Sequence, residues 1–304
     1  MQTLIAAPEL DRYRGEPPQM RSGAVGKDGF LRLRFERRGA RTELTAIDRR
    51  TPLVAQQALY YDTAMPGLPC VMTISTGGGL LQGDRSALEI SLADDCEAHV
   101  TTQSATKIHA MDANFAAQTQ DVVLGERAYL EFLPEPTIPY RNARFASRTR
   151  ITLPPSATLL YAEILQAGRV HHGDGERFAF DLMSSTVSAA RTDGAPLFVE
   201  KYVIEPARRG VSASAVMGGY EVFGNMVLLA PMEIARRVFE ATPAQVDRAE
   251  KCAAGASRLP NDAGLVYKIV GMDRESVQAR VRAFWSRVRD AAKGRSLPPP
   301  FLWR

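Results

Sequence analysis

The sequence has few of the residues that build metal cages or disulfide frameworks: among 304 residues there are three cysteines and four histidines. Cys70, Cys96 and Cys252 are odd in number and widely spaced, which excludes a disulfide framework and a CxxC redox or zinc pair. They are expected as buried free thiols. His99 and His109 stand alone, and the neighbours His171 and His172 would point to opposite faces of a strand, so they share an ion only in a loop. No HExxH or similar spacing occurs, and a permanent metal or cofactor is not expected. Also missing is any run of about 18 apolar residues that would span a bilayer. The opening MQTLIAAPEL lacks a basic segment followed by an apolar one. A cytosolic protein without a membrane segment is the expectation.

No large excess of charge of either sign is present; the formal net charge is +4. The basic residues concentrate late, with eight Lys or Arg against three acids from Asp273 to Arg304. An arginine-rich helix can bind nucleic acid, but the same pattern is the ordinary solvated face of a helix. Phe284 and Trp285 fall on the apolar face, not among the arginines, so nucleic acid is not an expected partner.

What the sequence does have is alternation. Leu31, Leu33 and Phe35, then Leu88, Ile90 and Leu92, then Phe145 to Leu153, then Phe178, Phe180 and Leu182 recur at period two, the pattern of half-buried strands. These segments predict short strands of antiparallel type. Continuous apolar runs at 158–165, 197–204 and 226–230 predict strands covered on both faces. Turn residues punctuate the runs too often for α/β crossovers. The fold class is therefore mainly β, in layered, antiparallel-rich sheets, with a small number of helices near the C-terminus. Thr242 as N-cap with Pro243 behind it predicts one helix, a strand LVYKIVG follows, and Asp273 as N-cap predicts a last helix ending at Gly294. That helix would bury Val277, Val281, Phe284, Trp285, Val288 and Ala292 and turn its arginines mainly outward. Residues 1–28 are expected to be poorly structured, and 29–304 to form one β-rich domain with its helical portion from about 240. The tail PPPFLWR cannot continue a helix and carries Phe301, Leu302 and Trp303, which must dock somewhere.

Chemistry is harder to find. The segment STGGGLLQGDR has the G-x4-G spacing of a phosphate loop, but Asp84 and Arg85 stand where Lys and Ser or Thr are needed, and nucleotide binding is rejected. A glycine turn with positive φ or close backbone approach explains the segment. Glu131 in YLEFL and Glu163 in LLYAEIL sit among residues that favour burial. An unpaired buried charge costs several kcal/mol, roughly, so each needs a partner such as Lys107, Arg144 or Arg169, or a functional role. Two such acids would suit a β-sandwich hydrolase if they shared a cleft. No G-x-S-x-G elbow is present.

Four segments, STGGGLLQGDRSALEISL, AHVTTQSATKIH, AYLEFLPEPTIPYRNARFASRTRITL and LLYAEILQAGR, resemble the UreD family, called UreH in some bacteria, and occur in the family's order. The most specific stretches are Pro134 to Tyr140 with Asn142 to Phe145, Thr101 to Gln103, and Thr106-Lys107. The resemblance covers about residues 70–205, and the closing tail with Trp303 is also similar. Gln82, His109 and the long HHGDGERF connection depart from the family pattern. The resemblance implies a superhelical β-sheet fold without catalysis of its own. It also implies a complex with UreF and the GTPase UreG that docks on apo-urease for nickel insertion, the nickel arriving through UreE and UreG. Asp84, Glu131 and Glu163 match family positions, which makes them candidates for a transient nickel relay, with no metal permanently held.

Overall fold

Period-two segments become strands here because each has one face pressed against a second sheet. The computed structural model describes residues 7–15, 27–214 and 216–300. A short 3-10 helix (Pro8–Tyr13) with Leu10 buried against Phe115 and Leu182 precedes a hairpin, β1 (Asp28–Arg38) and β2 (Arg41–Arg50), which is followed by β3 (Leu53–Ala55) and β4 (Cys70–Ser75). The middle of the chain forms β5 (Arg85–Leu92), β6 (Glu97–Thr102), β7 (Thr106–Ile108), β8 (Ala116–Leu124), β9 (Tyr129–Phe132), β10 (Thr137–Pro139), β11 (Arg144–Thr152) and β12 (Thr158–Gln166). Then come β13 (Leu182–Ala190), β14 (Pro196–Ile204), β15 (Val222–Leu229), α1 (Met232–Glu240), β16 (Gln245–Asp247), β17 (Cys252–Arg258), β18 (Gly264–Gly271) and α2 (Arg274–Lys293).

One sheet has the order β14-β13-β11-β8-β5-β1-β2 and the other β16-β17-β18-β15-β12-β9-β6-β4-β3. From β4 to β13 the main strands visit the two sheets in turn, so the chain coils and adds one rung to each sheet per lap. Coiling in one sense makes successive rungs parallel: β5 with β8, β8 with β11, β11 with β13, β4 with β6, β6 with β9 and β9 with β12. The outer strands pair antiparallel, as in β1 with β2, β13 with β14, and β15 with both β12 and β18. The mainly β architecture is as the sequence implies, and the sheets are mixed. Alternation reports a half-buried face, and a coil of two facing sheets half-buries parallel rungs as readily as antiparallel ones.

The inner faces meet in a core containing Leu31, Leu33, Phe35, Ile90, Leu130, Phe132, Leu159 and Val227. The outer face of the second sheet is covered by the helices: Leu160, Ala162, Met226 and Ile269 pack with Val277, Phe284, Trp285 and Val288 of α2. Each such side chain contributes about 1.5–3 kcal/mol when fully buried. Asp273 caps α2 by accepting from the Ser276 N–H at 2.8 Å. Gly294 ends it at φ 61°, as the sequence predicts.

Several expectations fail, among them a strand at Phe178 and Phe180, which precede β13 instead of lying in it. The helix predicted after Thr242 is instead α1, which ends at Glu240; the Thr242 hydroxyl donates to the Val238 carbonyl and closes it. Residues 252–258 pair with β18, where Cys252 and Ala254 complete the helix-facing layer, so tertiary pairing overrides the helix preference of an alanine-rich stretch. The run 197–204 is not covered on both faces: β14 is an edge strand on which Val199 is 71% exposed. The three cysteines are buried free thiols. Among the described residues, no helix is long and apolar enough to cross a membrane.

Candidate functional site

Strand parity separates the two carboxylates that the sequence singles out. On β9, Leu130 and Phe132 face the inter-sheet core, so Glu131 faces the helices; on β12, Leu159 and Tyr161 face the core, so Glu163 does too. Although β9 and β12 are neighbours, with Glu131 opposite Leu160, the two acids lie on opposite sides of one sheet. They cannot flank one bond, which removes the paired-carboxylate hydrolase.

Glu131 is fully buried beneath α2, with each of its oxygens receiving two donors. Arg289 donates Nε to Oε1 at 2.8 Å and Nη2 to Oε2 at 2.7 Å; the Tyr129 hydroxyl donates to Oε1 at 2.7 Å and His99 Nδ1 lies 3.1 Å from Oε2. The Arg289 guanidinium also donates to Asp62, a second buried carboxylate whose Oδ1 accepts from the N–H groups of Ala64 and Met65. His99 stacks on Trp285 with ring centroids 5.1 Å apart. Burial alone would push the Glu131 carboxyl up, but hydrogen bonds from His99 and Arg289, together with the guanidinium charge, outweigh it and hold the group down at about 2. The same cluster raises the Arg289 guanidinium above its ordinary value against the opposing effect of burial. Among the described residues, this is a structural network in which both oxygens of Glu131 are occupied.

Glu163 has a different setting. Its carboxylate lines a polar inter-sheet cavity of about 70 Å³ together with Gln118, Gln120, Ser147, Tyr161 and Tyr202, space enough for several waters. Ser185 Oγ donates to Glu163 Oε1 at 2.6 Å, and Asn225 Nδ2 reaches Oε2 at 3.5 Å and Glu200 at 3.0 Å. Asn225 Oδ1 is buried without a hydrogen-bond partner among the described residues. Burial raises the Glu163 carboxyl, the neutral donors Ser185, Asn225 and Tyr161 only partly offset it, and the Glu200 charge adds to the rise. A carboxyl disposed to hold its proton beside water is suited to exchange that proton for a cation.

Asp84 serves the glycine loop. Its oxygens accept from the N–H groups of Lys27 at 2.8 Å and Leu81 at 2.9 Å, closing the turn in which Gly78 and Gly83 have φ of 72° and 77°. At Gly79, a Cβ would lie 2.7 Å from both the Lys107 carbonyl and the His109 ring, so only glycine lets this loop lie against β7. Lys107 contributes its carbonyl to Leu80 N–H while its side chain is exposed. The expected cationic partners of the buried acids are engaged elsewhere: Arg144 with Asp181 at 2.7 Å, and Arg169 with Glu176 through two bonds of 2.8 and 2.7 Å. His171 and His172 are exposed in the loop after Arg169. Among the described residues, no three His, Cys, Asp or Glu are grouped to hold a metal ion. Trp303 lies outside the described residues.

Sequence reading missed Arg289, Asp62, Asn225 and Glu200. Arg289 had a signal: it follows Trp285 by four positions and so lies on the buried face of α2. Asp62 and Asn225 carried none, since the long-range pairing that buries them is not encoded in local spacing.

The fold is thus a coil of two facing mixed sheets, with a buried ionic network beneath α2 and a polar cavity between the sheets. The chain belongs to the UreD urease accessory protein family, whose model matches residues 27–304. It is 53% identical over 300 residues to Urease accessory protein UreD 2 of Brucella suis biovar 1 (strain 1330), with 99% of each chain covered. It is 49% identical over 300 residues to Urease accessory protein UreD of Yersinia pseudotuberculosis serotype O:1b (strain IP 31758), covering 99% of this chain and 94% of that one.

Proposed function

We propose that this chain is a cytoplasmic urease maturation factor: a non-catalytic scaffold that joins UreF and the GTPase UreG, docks on apo-urease and assists GTP-dependent nickel insertion. UreE is the indirect source of the nickel. The observation that carries this reading is family membership across nearly the whole chain. Nickel is cargo here, with no cofactor permanently bound.

Of the three acids proposed as a relay, Glu163 is the strongest. Asp84 and Glu131 have their oxygens occupied by backbone N–H groups and by Arg289, Tyr129 and His99. Glu163 faces a cavity lined by oxygen donors, and such donors hold a divalent ion weakly enough for it to move on.

Co-expression with UreF, UreG and apo-urease, followed by activation with nickel, bicarbonate and GTP, tests the proposal. Capture of UreF and urease, with activation dependent on this chain, supports the scaffold. Absence of both sinks it. Glu163→Gln is then expected to lower activation about tenfold while capture persists, a loss equivalent to about 1.4 kcal/mol. Undiminished activation removes Glu163 from the route.

A further inference from the structure

Three polar side chains form one row across the second sheet: Glu163 of β12 stands opposite Asn225 of β15, and Asn225 stands opposite Lys268 of β18. Cross-strand partners share a face, and Val227 of β15 lies in the inter-sheet core, so the row faces the first sheet. Glu200 meets it from the other side. On β14 it stands opposite Val187, another inter-sheet residue, and its oxygens accept from the Lys268 ammonium and, at 3.0 Å, from Asn225 Nδ2. The first sheet ends at β14 while the second runs on through β18, β17 and β16, so beyond β14 no strand of the first sheet faces the row. The Lys268 and Glu200 side chains are accordingly 38% and 29% exposed, whereas Asn225 is 1% exposed.

We propose that Glu163, Glu200 and Asn225 form an oxygen-lined site for a divalent cation, and that the Lys268 ammonium is its tethered competitor, displaced when the ion arrives and restored when it leaves. The inference rests on the reading of Glu163 as a relay residue. Two carboxylates flanking one amide repel each other, and a single ammonium offsets only one of them; a divalent ion offsets both. Asn225 supplies a third oxygen. Its Nδ2 bridges the two carboxylates, 3.5 Å from Glu163 and 3.0 Å from Glu200, while its Oδ1 is buried without a partner among the described residues. Turning the amide over presents that oxygen to an ion between the carboxylates without altering the shape of the side chain. Lysine suits the competitor's part, being a point charge on a flexible stem. Its Nζ lies 5.5 Å from the centre of the Phe223 ring, which packs edge-on against the cavity-lining Tyr202, and its exposure leaves it a path into water. Competition of this kind keeps affinity low while all three oxygen ligands stay in place, as transit of an ion requires.

Nickel chloride alone is the probe, titrated into the full chain carrying His171→Ala and His172→Ala, which removes the exposed imidazole pair. In that background Lys268→Met is expected to tighten Ni²⁺ binding about tenfold in equilibrium dialysis, and Glu200→Gln to weaken it about tenfold. Lys268→Arg keeps the competing charge and should stay within about twofold of its parent. Acetylation by acetic anhydride, read by peptide mass, is the independent measure. Saturating Ni²⁺ should raise labelling of Lys268 about threefold and leave Lys201, which pairs with Glu9, unchanged. The proposal is overturned if Lys268→Met binds no more tightly than its parent, including the case in which neither binds, or if Ni²⁺ leaves Lys268 labelling unaltered. When Glu163→Gln nonetheless loses the ion, the competitor is wrong and the relay stands. When Glu163→Gln binds Ni²⁺ as its parent does, the relay reading fails as well.

Discussion

Glu131 and Glu163 occupy adjacent strands of one sheet, in equally apolar sequence, and have opposite fates. Glu131 faces the helices and meets a guanidinium, an imidazole and a phenol, so its charge is stabilised and its carboxyl is held down at about 2. Glu163 faces the inter-sheet cavity, meets only neutral donors, and has the Glu200 charge nearby, so its carboxyl is raised. One step of strand parity separates an element of structure from a group available for exchange. The general lesson is that a buried acid is interpretable only once its face is known.

The largest expected effect comes from Arg289→Ala. It leaves Glu131 and Asp62 buried without their cation, and denaturant unfolding should report a loss of about 3–5 kcal/mol. If the loss is under about 1 kcal/mol, the network is less desolvated than its geometry implies and the contrast between the two acids collapses.

Acid titration of stability comes next. Because the folded-state value of Glu131 lies below its unfolded value of 4.5, its contribution is complete above about pH 4.5 and is lost as the pH falls toward about 2. Glu163 has the opposite sign: raised in the folded state, it destabilises when ionised, and the penalty is relieved as the pH falls through its folded value. Urea unfolding should therefore lose the Glu131-dependent fall below about pH 4.5 in Glu131→Gln, whereas Glu163→Gln should lose the gain in stability that acidification gives above that pH. Identical slopes would erase the distinction.

A smaller change tests whether the asymmetry depends on α2. Asp273→Ala removes the N-cap and is expected to cost about 1 kcal/mol. Nuclear magnetic resonance titration of Glu163 in this variant should be unaltered, since its carboxylate faces away from the helix. The smallest effect is on the stability of Glu163→Gln at neutral pH, expected within about 1 kcal/mol of the parent and in the stabilising direction. A large loss would mean that the carboxylate is a structural partner after all.

Much of the architecture was legible because it is local. Leu31 to Phe35 and Leu88 to Leu92 alternate, and their apolar members are buried. Asp273 and Gly294 bracket α2 at the predicted positions. Rung direction was not legible, because alternation is the same for parallel and antiparallel neighbours. The strand at 252–258 was hidden because its small residues favour a helix until β18 offers an edge. Glu131 and Glu163 were visible as misplaced charges, but Ser185 and Arg289, which decide their fates, lie 22 and 158 residues away and no spacing rule connects them. Arg289 was misread with the other arginines of its helix, although its four-residue distance from Trp285 marked it as inward.

The guanidinium of Arg289 has a consequence for the order in which the molecule can be completed. The two sheets grow in nearly chain order, so a ribosome can lay down rung after rung, each pairing with the last. Yet Asp62 and Glu131 must wait for a cation that lies 227 and 158 residues downstream. Until α2 is synthesised, the growing coil holds two acids that it cannot bury. A chain cut short before residue 289 is thus denied its final packed state, and a single side chain near the end certifies that everything before it has been made.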